Sequence, residues 1–186
     1  MHTEIILAGF GGQGVLLIGK LLAYAGMRAG REVTWMPAYG PEMRGGTCNC
    51  TVVMSDHKIG APVTKNPHGL IALNLPSLDK FEDAVRPGGV VVVNTALINR
   101  LPNRRDLVVV PVACNEVAQE AGTAKAANMV ALGAFLGASQ IVDVELVKGA
   151  LEETFAARPK LVPINMAALA KGYEIGMAHA PAHAAG

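Results

Sequence analysis

The chain has 186 residues and a mass of 19.3 kDa, which favours one domain with a sizeable core. Its 16 Lys and Arg nearly balance its 15 Asp and Glu, and no basic stripe with interleaved aromatic residues occurs, which argues against nucleic acid as a partner. Hydrophobic residues make up 51% of the chain, yet no apolar run reaches the roughly 18 to 20 residues that a membrane span needs.

The N-terminal sequence MHTEIILAG leads directly into a predicted strand and has neither the charged region nor the cleavage site of a signal peptide. Three cysteines, of which Cys48 and Cys50 are two residues apart, do not make a disulfide framework. We therefore expect a reduced, cytoplasmic protein. The high apolar content and a charged fraction of only 17% indicate a fully covered parallel sheet or a large subunit interface.

Short apolar runs alternate with segments of helical spacing, which predicts an α/β domain: a three-layer, Rossmann-like sheet with helices on both faces and a helical C-terminal end. Pro37 is expected to end the second strand. The predicted strands span residues 4–8, 32–36, 47–55, 70–73, 90–93 and 107–110. Helices are predicted at 15–29, from Pro76 to the turn at 87–89, and, in the helical region after Glu116, at 124–139, 143–156 and 164–177. Residues 1–177 form the predicted domain, and 178–186 form a low-complexity tail.

The stretch GFGGQG follows the first predicted strand and precedes the first predicted helix. Glycines let a backbone approach a ligand closely, and a helix N-terminus offers unpaired N–H groups to an anion. A dinucleotide site also needs an acid at the end of the second strand, where this sequence reads WMPA and the nearest acid, Glu32, lies at the strand's start. Three interpretations remain: a nucleotide site, a turn for packing alone, or a turn that presents backbone to a neighbouring surface.

Three stretches together resemble a known family. GFGGQGVLLIGKLLAYAG, MPAYGPEMRGGTCNCTVVMSD and KAANMVALGAFLG are similar to the gamma subunits of the 2-oxoacid:ferredoxin oxidoreductases. The resemblance runs from Ile5 to about Gly172, and the pairing of GFGGQG with YGPEMRGG is its most specific part.

This resemblance implies a subunit of an enzyme that decarboxylates a 2-oxoacid on thiamine diphosphate and Mg²⁺ and passes the acyl group to coenzyme A. Electrons leave through [4Fe–4S] clusters to ferredoxin or, through a flavin-containing partner, to NAD. The implied partners are alpha, beta and ferredoxin-like delta subunits, with thiamine diphosphate between alpha and beta. The sequence has no GDG motif followed by an NN pair and no CxxCxxC run, so we expect this chain alone to hold no cofactor and to be inactive. The 2-oxoacid stays unspecified.

Two loops supply the candidate site residues, and we assign no catalytic residue to this chain. Arg44 is the best candidate partner for an anion, because its planar guanidinium binds carboxylates and phosphates in pairs; a salt bridge to Glu42 or to another subunit is the alternative. Tyr39 is more typical of a packing aromatic residue than of a catalytic acid. By resemblance, the residues near the cofactor or coenzyme A are Gly9, Gly11, Gly12, Gln13 and Gly14 in the first loop and Tyr39, Glu42 and Arg44 in the second.

Several other residues have structural interpretations that we favour. Cys48 and Cys50 share one face of a strand and are predicted to be buried rather than metal-bound. Asn128 is expected to make a structural hydrogen bond, and the small residues around it predict a closely packed interior or intersubunit helix. Cys114 and Asn115 follow a buried strand and could line the same sheet edge as the glycine turn.

Three functions are compatible with these residues. The first is an accessory subunit that completes a 2-oxoacid oxidoreductase. The alternative is a stand-alone Rossmann-type nucleotide-binding protein, and the third is an assembly scaffold whose glycine loops only shape an interface.

Overall fold

A mixed sheet of six strands organises the computed structural model, which describes residues 1–39 and 46–181. Its strands are β1 (His2–Phe10), β2 (Glu32–Tyr39), β3 (Thr47–Ser55), β4 (Gly69–Ala72), β5 (Val90–Asn94) and β6 (Val108–Val112). They lie in the order β2-β3-β1-β4-β5-β6. β1, β4, β5 and β6 pair in parallel, whereas β3 is antiparallel to both β1 and β2. Five strands therefore end at one edge of the sheet, which we call the carboxyl edge.

Helices cover both faces of the sheet, as predicted, but very unequally. The α-helices are α1 (Val15–Arg28), α2 (Leu75–Phe81), α3 (Cys114–Ala121), α4 (Ala127–Ser139), α5 (Val144–Thr154) and α6 (Val162–Met177). All but α2 contribute to the hydrophobic core on the first face, and Leu78 of α2 belongs to a smaller core on the second. None of the helices in the described residues has the length and apolar content required to cross a bilayer.

Pro37 lies inside β2, so the prediction that it ends this strand is wrong. β2 continues to Tyr39 and pairs with β3 along its whole length. Because β2 is an edge strand, a proline that lacks an N–H group is tolerated where its nitrogen faces away from the neighbouring strand. The other predicted elements are present, with ends that shift by a few residues.

Helices α4 and α6 interlock through glycines spaced four residues apart: Gly133 and Gly137 on α4, Gly172 and Gly176 on α6. A side-chain carbon at Gly172 would lie 2.0 Å from the carbonyl oxygen of Val130, and one at Gly176 would lie as close to the α4 backbone. The two helices therefore touch backbone to backbone. All residues of α4 between Asn128 and Ala138 are buried within this chain, which confirms the interior packing predicted for it.

We expect Gly172→Ala to lower the free energy of unfolding by about 3 kcal/mol, because the added methyl group meets backbone that cannot retreat without separating α4 from α6. Gly149→Ala in α5 is the matched control, since its methyl group would meet only the guanidinium end of Arg28. It should change stability by no more than about 1 kcal/mol. Urea unfolding followed by circular dichroism measures both, and equal stabilities would contradict the interlock.

Candidate functional site at the carboxyl edge

The ends of β1 and β4 form a crevice at the carboxyl edge. The two strands are parallel neighbours, but the chain leaves β1 through α1 on the first face and leaves β4 through α2 on the second. Such a reversal of chain direction opens the crevice in which open α/β sheets bind their ligands. The glycine turn, residues 11–14, lies at this point.

Three glycines of GFGGQG are required by the backbone or by packing. Gly12 and Gly14 have φ angles of 97° and 75°, a region that residues with a side chain rarely adopt. A side-chain carbon at Gly9 would lie 2.6 Å from the Oε1 atom of Gln13. Gly14 is also the N-cap of α1, so no side chain caps the helix, and its first turn contains no acid. The turn thus presents backbone N–H groups at the carboxyl edge.

The side chain of Gln13 joins the ends of two strands. Its Oε1 atom accepts hydrogen bonds from Phe10 N at 2.6 Å and from Asn74 Nδ2 at 3.4 Å. Its Nε2 atom donates to the carbonyl oxygen of Leu73 at 3.4 Å. Its backbone N–H also donates to the carbonyl oxygen of Phe10 at 3.1 Å, so Gln13 holds the turn in shape rather than offering a free donor to a ligand.

A polar cavity of about 350 Å³ opens beside the glycine turn. Asn94 is buried and donates to Asn115 Oδ1 at 3.1 Å, while its own Oδ1 atom accepts from Cys114 N at 3.1 Å. Among the described residues that line the cavity, Lys125 alone carries a formal charge. Amide groups, backbone N–H groups and an ammonium group suit a polar or anionic group better than an apolar one.

Asn128 is the structural hydrogen-bonding residue that the sequence predicts. It is 6% exposed, its Nδ2 atom donates to the carbonyl oxygen of Gly14 at 3.3 Å, and its Oδ1 atom accepts from Met129 N. It thereby fixes the start of α4 against the glycine turn. Asn115 lines the cavity, as its position after a buried strand indicates.

Sequence reasoning missed Asn74, Asn94 and Lys125. A signal for the two asparagines exists, because each comes at the end of an apolar strand: ALN after β4 and VVVVN at β5. Polar residues at the carboxyl ends of parallel strands meet at one edge. Lys125 has no comparable signal, because only the chain reversal before α4 brings it to the cavity.

An apolar cleft of about 370 Å³ lies on the other side of the glycine turn. Its lining includes Phe10, Val15 and Leu16 of the first loop and helix, and Thr47 and Cys48 at the start of β3. The glycine turn is therefore a ridge between a polar cavity and an apolar cleft.

The two candidate loops meet through the backbone. Gly11 N donates to the carbonyl oxygen of Gly46, the last residue of YGPEMRGG, at 2.9 Å. Tyr39 ends β2 on the same edge, and Glu42 and Arg44 lie outside the described residues.

The three cysteines are free and buried, which confirms the burial predicted for Cys48 and Cys50. Burial raises the pKa of Cys50 to about 12 and that of Cys114 to about 12, and it also raises the pKa of Cys48. These thiols stay protonated near neutral pH, so they are poor metal ligands. No three His, Cys, Asp or Glu side chains within residues 1–39 and 46–181 cluster closely enough to hold a metal ion.

The strand arrangement disfavours a dinucleotide site. In the dinucleotide-binding fold the second strand lies directly beside the first, whereas here β3 separates β1 from β2. Glu32 begins β2, so it lies seven residues, about 23 Å, from the carboxyl edge. Within the described part of the chain, β2 therefore carries no carboxylate near the glycine turn that could hold a ribose.

The chain resembles known oxidoreductase subunits over nearly its whole length. The family model described as "Pyruvate ferredoxin/flavodoxin oxidoreductase" matches residues 4–175. The ketoisovalerate oxidoreductase subunit VorA of Methanothermobacter marburgensis is 42% identical over 92% of this chain, and the match spans only 36% of VorA. The 2-oxoglutarate synthase subunit KorC of Methanocaldococcus jannaschii is 34% identical, with 94% of each chain covered.

Solved structures share the fold. The gamma subunit of a keto/oxoacid ferredoxin oxidoreductase from Geobacter sulfurreducens has a TM-score of 0.79 at 30% identity and is covered over 99% of its length. A 2-oxoglutarate:ferredoxin oxidoreductase from Magnetococcus marinus, solved with 2-oxoglutarate, coenzyme A and succinyl-CoA bound, has a TM-score of 0.84 at 25% identity. This chain corresponds to 31% of that longer chain and to about a third of VorA.

We expect Gly14→Ala to destabilise the protein by about 3 kcal/mol, because it combines a strained backbone with a methyl group 2.3 Å from Asn128 Nδ2. Gly12→Ala is the matched control: its φ is also positive, but nothing lies within 4 Å, so only about 1–2 kcal/mol is expected. Adding Asn128→Ala to Gly14→Ala should restore part of the lost stability. Equal costs at Gly12 and Gly14, with strictly additive effects of Asn128→Ala, would show that the close contact is unimportant.

Proposed function

The chain belongs to the pyruvate ferredoxin/flavodoxin oxidoreductase family, and from this premise we propose that it is the gamma-type subunit of a multisubunit 2-oxoacid:acceptor oxidoreductase. The match over residues 4–175 confirms the family resemblance recognised in the sequence. The proposed reaction is oxidative decarboxylation: the 2-oxoacid loses CO₂, its acyl group joins the thiol of coenzyme A, and two electrons go to ferredoxin or, through a partner subunit, to NAD.

In this proposal the partner chains determine which 2-oxoacid the enzyme accepts. Relatives that align with this chain are named for ketoisovalerate, 2-oxoglutarate and indolepyruvate, which differ in size and charge. Among the described residues, the lining of the polar cavity contains no carboxylate and the lining of the apolar cleft contains no charged side chain. These lining residues therefore include no carboxylate that would repel the second carboxylate of 2-oxoglutarate.

We propose that thiamine diphosphate, Mg²⁺ and the [4Fe–4S] clusters are held by alpha, beta and ferredoxin-like delta subunits. The cysteines of this chain do not fit an iron–sulfur cluster. A cluster takes four thiolates, whereas this sequence has three cysteines, all of them buried. The free thiols also agree with the cytoplasmic location that we propose.

We propose that this chain contributes the glycine turn and the second loop to a surface that faces a cofactor or coenzyme A held by the partners. The observation that supports this most directly is the hydrogen bond from Gly11 N to the carbonyl oxygen of Gly46, which joins the two loops at the carboxyl edge. The backbone of the first loop is supplied by Gly9, Gly11, Gly12, Gln13 and Gly14, and the second loop adds Tyr39, Glu42 and Arg44.

Each part of this surface has a distinct chemical role in the proposal. Backbone N–H groups at the start of α1 donate to an anionic group without titrating. Arg44 binds a carboxylate or phosphate, and the apolar cleft supplies a surface that excludes water from the carboxyl edge. This chain thus binds and orients, and the covalent chemistry belongs to the partner-held groups.

The first test compares the isolated chain with the assembled enzyme. Purified alone, the chain should be colourless, contain no iron or thiamine, and fail to reduce an acceptor with any 2-oxoacid and coenzyme A. Co-expression with the alpha, beta and delta subunits of the same organism should give activity that is lost when this chain is omitted. A brown colour or turnover in the isolated chain would overturn the proposed division of labour, and tight binding of NAD to it would favour the nucleotide-binding alternative.

The second test separates a site role from a scaffold role. Arg44→Ala should lower turnover by about 10- to 100-fold with the complex intact on gel filtration, because a charge-assisted hydrogen bond contributes about 1.5–3 kcal/mol. Arg105→Ala is the matched control, since Arg105 is exposed and precedes β6 at the opposite edge of the sheet. Varying the 2-oxoacid and coenzyme A separately identifies which of them Arg44 serves. Unchanged turnover in Arg44→Ala would support the scaffold.

A further inference from the structure

Half of the second sheet face carries no helix within the described residues. α2 covers β1 and β4 on this face, where Ile6 and Ala8 are buried against Leu78. Beside it, toward the β2 side of the sheet, no helix in the described part of the chain covers this face of β2, β3 and the end of β1. The part of this region nearest the carboxyl edge presents its own side chains to the surroundings. We call it the open sheet face; its residues are Phe10, Met36, Ala38, Thr47, Asn49 and Thr51.

Strand register places these six side chains together. Trp35 and Val52 belong to the core on the first face, so their neighbours Met36 and Thr51 point to the second face. Residues paired across strands share a face. The pairs on the open sheet face are Met36 with Thr51, Ala38 with Asn49, and Phe10 with Thr47.

The composition of this face is unusual for a surface that meets water. Met36 is 43% exposed and Phe10 is 36% exposed. Yet residues 33–39 and 46–55 contain no Lys, Arg, Asp or Glu. A solvated sheet face is typically polar, whereas the centre of a protein interface is depleted in charge and enriched in methionine and aromatic residues.

The face is too small to be a complete interface. Three strands spaced about 4.8 Å apart, over about four residues each, give a patch of roughly 200 Å², whereas a stable interface buries about 800 Å² per partner. It continues at Phe10 and Thr47, which also line the apolar cleft beside the glycine turn. The open sheet face and the carboxyl edge therefore form one continuous surface, and a symmetric pair of copies joined on this face alone would bury too little.

The relatives indicate what occupies it. VorA and the Magnetococcus marinus chain carry the segment matched here as 36% and 31% of their length, so about two thirds of each chain lies outside the match. In those proteins the segment matched here is covalently joined to the rest of the chain, so a separate subunit of this kind has a non-covalent counterpart of that remainder as its natural partner.

We propose that the open sheet face docks the partner polypeptide of the same oxidoreductase, the one that corresponds to the part of VorA outside the match. This proposal rests on the proposed function. The partner surface is uncharged: apolar side chains pack on Met36, Ala38 and Phe10, and hydrogen-bonding groups meet Thr47, Asn49 and Thr51. Because no ion pair forms on this face, its contribution to assembly is insensitive to salt.

The test compares two methionines in the co-expressed complex. Met36→Glu places a charge on the open sheet face and should weaken binding to the partner at least about tenfold. Met27→Glu is the matched control, because Met27 is 60% exposed on α1, which packs on the first face, and this variant should assemble like wild type. Ala38→Lys, at a second exposed position, should reproduce the defect with the opposite charge. The melting temperature of each isolated variant shows that the fold is intact.

The outcomes distinguish the two proposals. If the wild-type chain assembles with its partners and Met36→Glu and Ala38→Lys assemble equally well, the docking surface is wrong while the proposed function stands. If the wild-type chain binds none of the partners, the proposed function is wrong, and the docking surface that rests on it is wrong as well. Self-association of the isolated chain that Met36→Glu abolishes, with unchanged binding to the partner, would assign the face to a second copy and overturn the proposal.

Discussion

The contact between Asn128 and Gly14 links the site to the core, and the geometry of the carboxyl edge depends on it. Asn128 is buried, donates to the carbonyl oxygen of Gly14, and occupies the space that any side chain at Gly14 would need. Its helix, α4, is held in turn by the glycine interlock with α6. A change in the packing of α6 would therefore be transmitted through α4 to the glycine turn, although α6 itself does not line the polar cavity.

The unequal covering of the two sheet faces explains the composition of the chain. Five helices on the first face bury the apolar residues of a thick core, and α2 covers only the middle of the second face. The 51% hydrophobic content and 17% charge thus have two sources: a deeply buried helix, α4, and an uncharged strand surface that is still exposed. Composition alone favours a fully covered parallel sheet or an interface. The first expectation is wrong, because β3 is antiparallel to its neighbours and part of the second face carries no helix in the described residues.

The sequence allowed the helices and strands to be predicted well, but it did not reveal which strands are neighbours in the sheet. Apolar runs and glycine turns located every strand, but nothing local indicates that β3 inserts between β1 and β2, because strand patterns are the same for any pairing partner. That insertion removes the geometry of a dinucleotide site. In the sequence, only the missing acid at the end of the second strand argued against such a site. The prediction that Pro37 ends β2 was wrong because a proline interrupts a central strand but is tolerated in an edge strand, and the sequence does not reveal which strands lie at an edge. The contact of Asn128 with Gly14 spans 114 residues, beyond the reach of any periodicity. The family, by contrast, was recognisable because its motifs are contiguous.

The chemistry of the carboxyl edge fits a subunit that positions a group held elsewhere. Catalysis by an acid or a base needs a side chain whose pKa is tuned close to the working pH. The described residues lining the polar cavity instead offer amides, backbone N–H groups and one ammonium group at Lys125. Such donors are fixed by the fold before any ligand arrives, so they lose little entropy on binding. A surface built in this way is suited to binding and orienting a charged group, and in the proposed function the bonds that change lie in groups that the partner subunits hold.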